Sequence, residues 1–134
     1  LAARPARSGD LPLGVSPLET AIAMSLDDPH VWAAAGSLYG SWGSIDPSYY
    51  MQAEASFRRA LELAPDIATH HTALGAILIQ QGRVEEGTVE LERAVDLDAT
   101  DGVAFRHLAQ TYETLGQQDK ATWARKEAER WSDE

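Results

Sequence analysis

The chain has 134 residues, no cysteine and a formal net charge of −10. That length fits one domain or a short repeat array, and the missing cysteines exclude disulfides, thiolate zinc sites and a Cys nucleophile. Acid on this scale repels phosphate backbones, which argues against a nucleic-acid partner, and no apolar run approaches the ~18 residues that cross a bilayer, so direct membrane insertion is not expected.

Residues 1–16, LAARPARSGDLPLGVS, lack a helical period and hold two Pro and two Gly, so they read as an extended or disordered leader. Arg4, Arg7 and Asp10 give this leader a positive balance, which leaves the acid on the remainder. The chain opens on Leu1 with no charged-then-apolar signal pattern, and is expected to be a segment of a longer or processed protein. From Ser16-Pro17 the pattern becomes helical, with Leu18, Ala21, Ile22 and Ser25 on one stripe up to about Leu26. A helix is predicted from about Pro29 to Trp42, stopped by Gly43, with Trp32, Ala35, Gly36 and Tyr39 inward. Asp46-Pro47 reads as a cap and first position of the next helix, whose stripe is Ala53, Phe57, Ala60 and Leu61. Pro65 ends it, because the residue before a proline is pushed out of the helical region. Two more helix pairs follow, at about 68–81 with 84–97 and 102–115 with 118–131, with Gly82 and Gly116 closing the turns. The count is about seven helices and no strand.

One interval organises these elements. Ala60, Ala94 and Ala128 recur at a fixed step of ~34 residues. The same step carries Leu74 to Leu108, Leu78 to Tyr112, Gly82 to Gly116 and Leu63 to Leu97. A fixed period of this length means stacked copies of one supersecondary unit, each burying its apolar face against the next.

Trp32-x-x-Ala35-Gly36-x-x-Tyr39, then Ala53-x-x-x-Phe57, Ala60 and Pro65, resembles the tetratricopeptide repeat signature. The second copy offers Leu74-Gly75-x-x-Leu78, Gly82, Leu91 and Ala94; the third offers Phe105-x-x-Leu108-Ala109-x-x-Tyr112, Gly116, Ala121 and Ala128. The resemblance implies an all-α fold, a right-handed α-solenoid of antiparallel helix pairs. It divides residues 17–134 into a half repeat (17–28) and three repeats (29–67, 68–101 and 102–134).

The departures from the pattern are specific. The interval from Ala21 to Ala60 exceeds the repeat step by five, and the extra residues are expected to lengthen the helix that begins at Pro47. His71 replaces a large apolar residue and is expected to be a buried structural histidine; Gly87 replaces Ala, and Ala99 replaces Pro. Arg125 and Glu129 make the last unit polar where a further repeat would pack, as suits a terminal repeat.

No constellation for catalysis is present, and no enzyme is expected. There is no G-x-S-x-G elbow, and the glycine spacing of Gly82 to Gly87 is followed by Thr88-Val89 rather than the Lys of a phosphate loop. His70 and His71 are adjacent, so their side chains diverge by ~100° on a helix and do not share a metal; no metal or cofactor site is expected. Glu85-Glu86, Asp96 and Asp98 read as a solvated face.

What remains is surface. In tetratricopeptide arrays the first helix of each pair lines a concave groove, and the resemblance puts Ala33, Ser37, Gly40, Thr72, Ala76, Ile79, Arg106, Gln110 and Glu113 there. Co-chaperone members grip a peptide carboxylate with Lys, Asn and Arg; Ala33, Ser37, Ala73, Val103 and His107 occupy those positions here, and the sequence contains no Asn. That clamp is therefore absent, and a helical or apolar protein or peptide suits the groove better. His107 either meets such a partner or is solvated.

Two aromatic pairs are candidate interfaces. Tyr49 and Tyr50 belong to the five-residue excess, and as neighbours they cannot both face the core. Trp123 and Trp131, eight apart, share a face of the last helix and either fold back on the array or meet a further repeat or a second copy. Trp42 is expected in the core at a helix end.

These readings make the chain a protein-binding or scaffold module, with a homo-oligomer among its expected states. The alternative is a structural or oligomerisation domain of a larger bacterial envelope protein, such as a polysaccharide polymerase or ligase. Nine Arg against two Lys, with no Asn, fits a GC-rich bacterial genome. The compartment stays open between cytoplasm and cell envelope.

Overall fold

The structure is a computed structural model that describes residues 23, 24 and 26–132. The leader at 1–16 and most of the half repeat at 17–28 lie outside the described residues. Six helices are described: α1 (Pro29–Gly43), α2 (Tyr49–Leu63), α3 (Ala68–Gln80), α4 (Val84–Leu97), α5 (Gly102–Thr114) and α6 (Gln118–Arg130). No strand occurs among the described residues. Each odd helix packs chiefly on the even helix that follows it, and α2–α3 and α4–α5 join successive pairs. Short turns between neighbours make the pairs antiparallel hairpins. The array is an α-solenoid.

Local chemistry sets the helix boundaries. Asp28 caps α1 by accepting from the His30 amide at 2.9 Å, with Pro29 in the first turn. Asp101 caps α5 through Ala104 N at 3.0 Å. Gly82 and Gly116 adopt φ of +83° and +78°. Beyond them Arg83 N donates to Leu78 O at 2.9 Å and Gln117 N to Tyr112 O at 2.8 Å. This left-handed closure satisfies helix-end carbonyls that would otherwise be unpaired.

The first pair closes differently, which corrects one expectation. Gly43 ends α1 where expected, but its backbone is not left-handed: it is the last helical residue and is buried. A Cβ there would stand 2.5 Å from the Tyr50 ring, so the glycine serves a close approach. The five extra residues do not form one added helical turn from Pro47. Two lengthen α1 (15 residues against 13 in α3), two lengthen the turn at 44–48, and one lengthens α2 (15 against 14 in α4). Asp46 still acts as a cap, accepting from Ser48 N at 3.1 Å and from the Ser48 hydroxyl at 2.9 Å. Tyr49 N and Tyr50 N bond back three residues, to Asp46 O and Pro47 O. The entry is thus wound tighter than an α-helix.

The core runs through the stack in two clusters. Ala35, Tyr39, Ala53, Phe57, Leu74, Ile77 and Leu78 unite α1, α2 and α3. Leu91, Ala94, Phe105, Leu108, Tyr112, Ala121 and Ala124 unite α4, α5 and α6. Ala60 and Ala94 have no exposed surface, and Ala128 is partly buried against the second cluster. The approach of α3 to α4 uses two glycines. A Cβ on Gly75 would lie 2.9 Å from Gly87 O, and one on Gly87 would lie 2.8 Å from Gly75 O. The replacement of the usual Ala by Gly87 is therefore a packing requirement between α3 and α4.

Candidate partner-binding groove

Small residues on α1 and α3 leave a hollow between the first two helix pairs. Ser37, Gly40, Ser41 and Ser44 line one side at helical spacing, and Ala73, Ala76 and Ile77 line the other. Phe57 of α2 forms the floor below Gly36, where a Cβ would meet the ring at 2.7 Å. A Cβ on Gly40 would stand 3.2 Å from Ile77 Cδ1. The glycines therefore keep α1 close to its neighbours, with the Phe57 ring buried beneath Gly36. The open space is about 360 Å³, and its wall is mainly apolar.

The structure distributes the nine groove positions unevenly. Ser37, Gly40 and Ala76 meet in this hollow. Ala33 packs on the first core cluster. Thr72 does not face a groove: it is buried, and its hydroxyl reaches Ala68 O at 3.3 Å and Asp101 Oδ2 at 3.0 Å. Ile79 packs on the second core cluster and fills the space beside Gly87. Arg106 and Gln110 are exposed on α5, and exposed Glu113 pairs with Arg125 of α6. Sequence reasoning missed Ser41, Ser44, Ile77 and the buried Phe57 floor, and named Ala73 only as a clamp position. The signal was present as small residues at 36, 40, 73 and 76.

The aromatic candidates are partly consumed by packing. Tyr49 stacks on Tyr39 at 6.2 Å and meets Trp42 edge-on at 5.5 Å, while Tyr50 lies over Gly43. Both tyrosines are half-buried, and each packs on a different neighbour. Trp123 lies edge-on to Phe105 at 5.4 Å and keeps 47% of its surface exposed. Trp131 stands just past the end of α6, donates to Glu127 Oε1 at 3.1 Å and packs on the second cluster.

Burial and neighbouring charge shift several titratable groups. His70 is buried with Nδ1 unpartnered; desolvation, then His30 and His71, lowers its pKa. Desolvation, then Arg106, lowers that of His107, against an opposing pull from Asp101. The Tyr112 hydroxyl donates to Glu92 at 2.7 Å, and burial followed by that carboxylate raises its pKa. His71, expected as a buried structural residue, is buried and bonded on both ring nitrogens. No group of three His, Cys, Asp or Glu able to hold a metal occurs among the described residues. No described helix is long and apolar enough to cross a membrane.

No family model and no curated protein matches the chain. Solved structures do. One described as MamA MSR-1 superposes with a TM-score of 0.71 at 25% identity, over 87% of this chain and 64% of that one. A crystal structure of MamA gives 0.76 at 19% identity, over 87% and 65%. A thermophilic TPR protein of Thermus thermophilus gives 0.74 at 19% identity, over 86% and 62%. The chain thus spans just under two thirds of the length of each. Together with the period of the apolar residues, these superpositions show a tetratricopeptide-repeat fold.

Proposed function

We propose that this chain is a protein-interaction scaffold module that receives an apolar segment of a protein partner in the hollow between α1 and α3. The observation that carries the reading is the hollow itself: Gly36, Gly40, Ala73 and Ala76 line it above the buried Phe57 and leave about 360 Å³ open. That volume suits one or two large apolar side chains, such as those at helical spacing on a partner helix. Charge adds selectivity. Residues 29–117 carry twelve carboxylates against five arginines, so a partner with basic flanks approaches with electrostatic help. Arg106, Gln110 and Glu113 provide a polar extension on α5. Catalysis has no place in this reading.

The test is crosslinking with a photoreactive residue at Ser37 or Ala76 in cells of the source organism, followed by mass spectrometry. Capture at both positions, lost on Ala76→Arg with helicity unchanged, supports the hollow. Crosslinks that persist in Ala76→Arg, or arise only from control positions such as Glu85, overturn it.

A second reading, self-assembly through the last helix, is favoured by Trp123, whose ring is half exposed. Sedimentation of the wild type beside Trp123→Ala tests it, a loss of dimer mass on substitution being the expected result. The role of a structural domain within a larger envelope protein is compatible with either.

A further inference from the structure

A trough runs along the seam between α2 and α4. It consists of two adjoining hollows, of about 280 and 290 Å³, that share Pro65, His71 and Arg93. Leu61 and Leu74 lie at one end, and Leu97, 45% exposed, lies at the other. The polar ring in its floor is already satisfied, because the two His71 nitrogens lie 2.8 Å from Glu90 Oε1 and 2.8 Å from Pro65 O. Covering the trough therefore strands no bond of that ring. The rim is charged. Arg58 is bonded to Glu54 and Glu62 to Arg59, but exposed Arg93 reaches Glu90 only at 4.0 Å, and exposed Asp96 stands three residues further on.

The last helix carries a side chain that suits this trough. The repeat step sets Trp123 at the place of Val89, and each is 47% exposed. The second repeat builds the same hairpin with valine, so the hairpin does not require an indole there. Trp123 meets Phe105 edge-on, and α6 has α5 as its one backbone neighbour among the described helices. Half of the ring is thus left in water. Tryptophan is enriched among the anchors of protein interfaces, and a guanidinium over its face adds a cation–π attraction. Two charges on the Trp123 face of α6 remain uncommitted: exposed Asp119, four residues before it, and exposed Lys126, three after. The other two are engaged, Lys120 over the Tyr112 ring and Glu127 with Trp131 Nε1.

We propose that the trough between α2 and α4 receives Trp123 of a second copy of this chain. The proposal rests on self-assembly through the last helix and names the surface that completes it. The indole lies on Leu61, Pro65 and Leu97, beside the Arg93 guanidinium. With α6 of one copy running in the same direction as α4 of the other, Asp119 falls toward Arg93 and Lys126 toward Asp96, so opposite charges meet on both sides of the ring. The reverse direction sets Asp119 against Asp96 and Lys126 against Arg93, which like charge disfavours. Trough and tryptophan are separate patches of one chain. Exchanged about a two-fold axis, the contact closes a dimer and covers both indoles.

Sedimentation of the whole chain over a range of loading concentrations, with helicity followed by circular dichroism, tests the proposal. The expected result is association that weakens about tenfold or more in Trp123→Val, which borrows the side chain of Val89. Leu97→Arg, at an exposed site of the trough, should weaken it to a similar degree. Charge reversal reads the direction: Arg93→Asp and Asp119→Arg should each weaken association, and the double variant should recover it. Association lost in Trp123→Val but untouched by Leu97→Arg overturns the trough and leaves self-assembly through the last helix standing. A double variant weaker than either single one overturns the proposed docking as well. A wild type that is monomeric at every concentration, or that associates as well without Trp123, overturns both. If Trp123→Val loses helicity, Leu97→Arg and the charge pair decide alone.

Discussion

The Thr72 hydroxyl donates to Asp101 Oδ2 at 3.0 Å, from the first helix of the second repeat to that repeat's last residue. The other oxygen of the same carboxylate caps α5 by accepting from Ala104 N at 3.0 Å. One side chain therefore starts a helix and ties it to the preceding repeat. Asp101→Ala is expected to cost about 1–2 kcal/mol, the usual range for a lost N-cap, and Asp101→Asn distinctly less. Urea unfolding of both variants checks this; equal losses would show that charge, not capping geometry, is what Asp101 supplies.

Two glycines should respond to alanine for different reasons. Gly75→Ala drives a Cβ to 2.9 Å from the Gly87 carbonyl and 2.8 Å from Leu91 Cγ, so the helices must separate. A loss of about 1–3 kcal/mol is expected from such overpacking. Gly82→Ala meets nothing within 4 Å but must hold φ near +83°. It should cost about 1–2 kcal/mol through backbone strain alone. Crystal structures would separate the mechanisms: a shifted α4 in the first variant and an unmoved helix pair in the second.

Ala94 has no exposed surface and belongs to the second core cluster, whereas Ala128 is only partly buried at the end of the stack. Ala94→Leu is expected to lose about 1–3 kcal/mol by overpacking despite leucine's good helix propensity. Ala128→Leu should lose less, because its surroundings can yield toward solvent. Thermal melts of the pair check the ranking, and a reversed order would contradict the assigned stacking.

The repeat frame was legible because burial by stacking forces a period on the apolar residues; Leu74 and Leu108 occupy one role in successive repeats. The first repeat was less legible. Asp46-Pro47 signals a helix start, but whether residues after a cap wind as α-helix or as a tighter turn depends on Tyr49 and Tyr50 finding Tyr39, Trp42 and Gly43, which are tertiary contacts. The groove shows the same divide. Ser37, Gly40 and Ala76 could be placed from position in the repeat. Thr72 and Ile79 share that register, yet each turns toward a partner supplied by a neighbouring element, Asp101 and the second core cluster with its Gly87 gap. Register gives a face; it does not give what the next helix leaves uncovered.

Glu54 gathers the seam between α2 and the α3–α4 turn. It accepts from Gln81 Nε2 at 3.0 Å, from Arg83 Nη1 at 2.7 Å and from Arg58 Nε at 2.9 Å. Burial pushes its pKa up, but the bonds from Gln81, Arg58 and Arg83 outweigh that and leave it below the ordinary value of 4.5. For a carboxyl lowered on folding, the unfolded chain binds the proton first. Its contribution is therefore complete above the unfolded pKa and drains away as pH falls through and below it. Glu54→Gln should be less stable than the wild type at neutral pH, with the gap closing as acid protonates the wild-type carboxyl. Urea midpoints measured for both proteins from neutral pH down past the carboxylate range check this. A gap that stays constant through that range would show that Glu54 acts by packing and amide-like hydrogen bonding, and that its charge adds nothing to the seam.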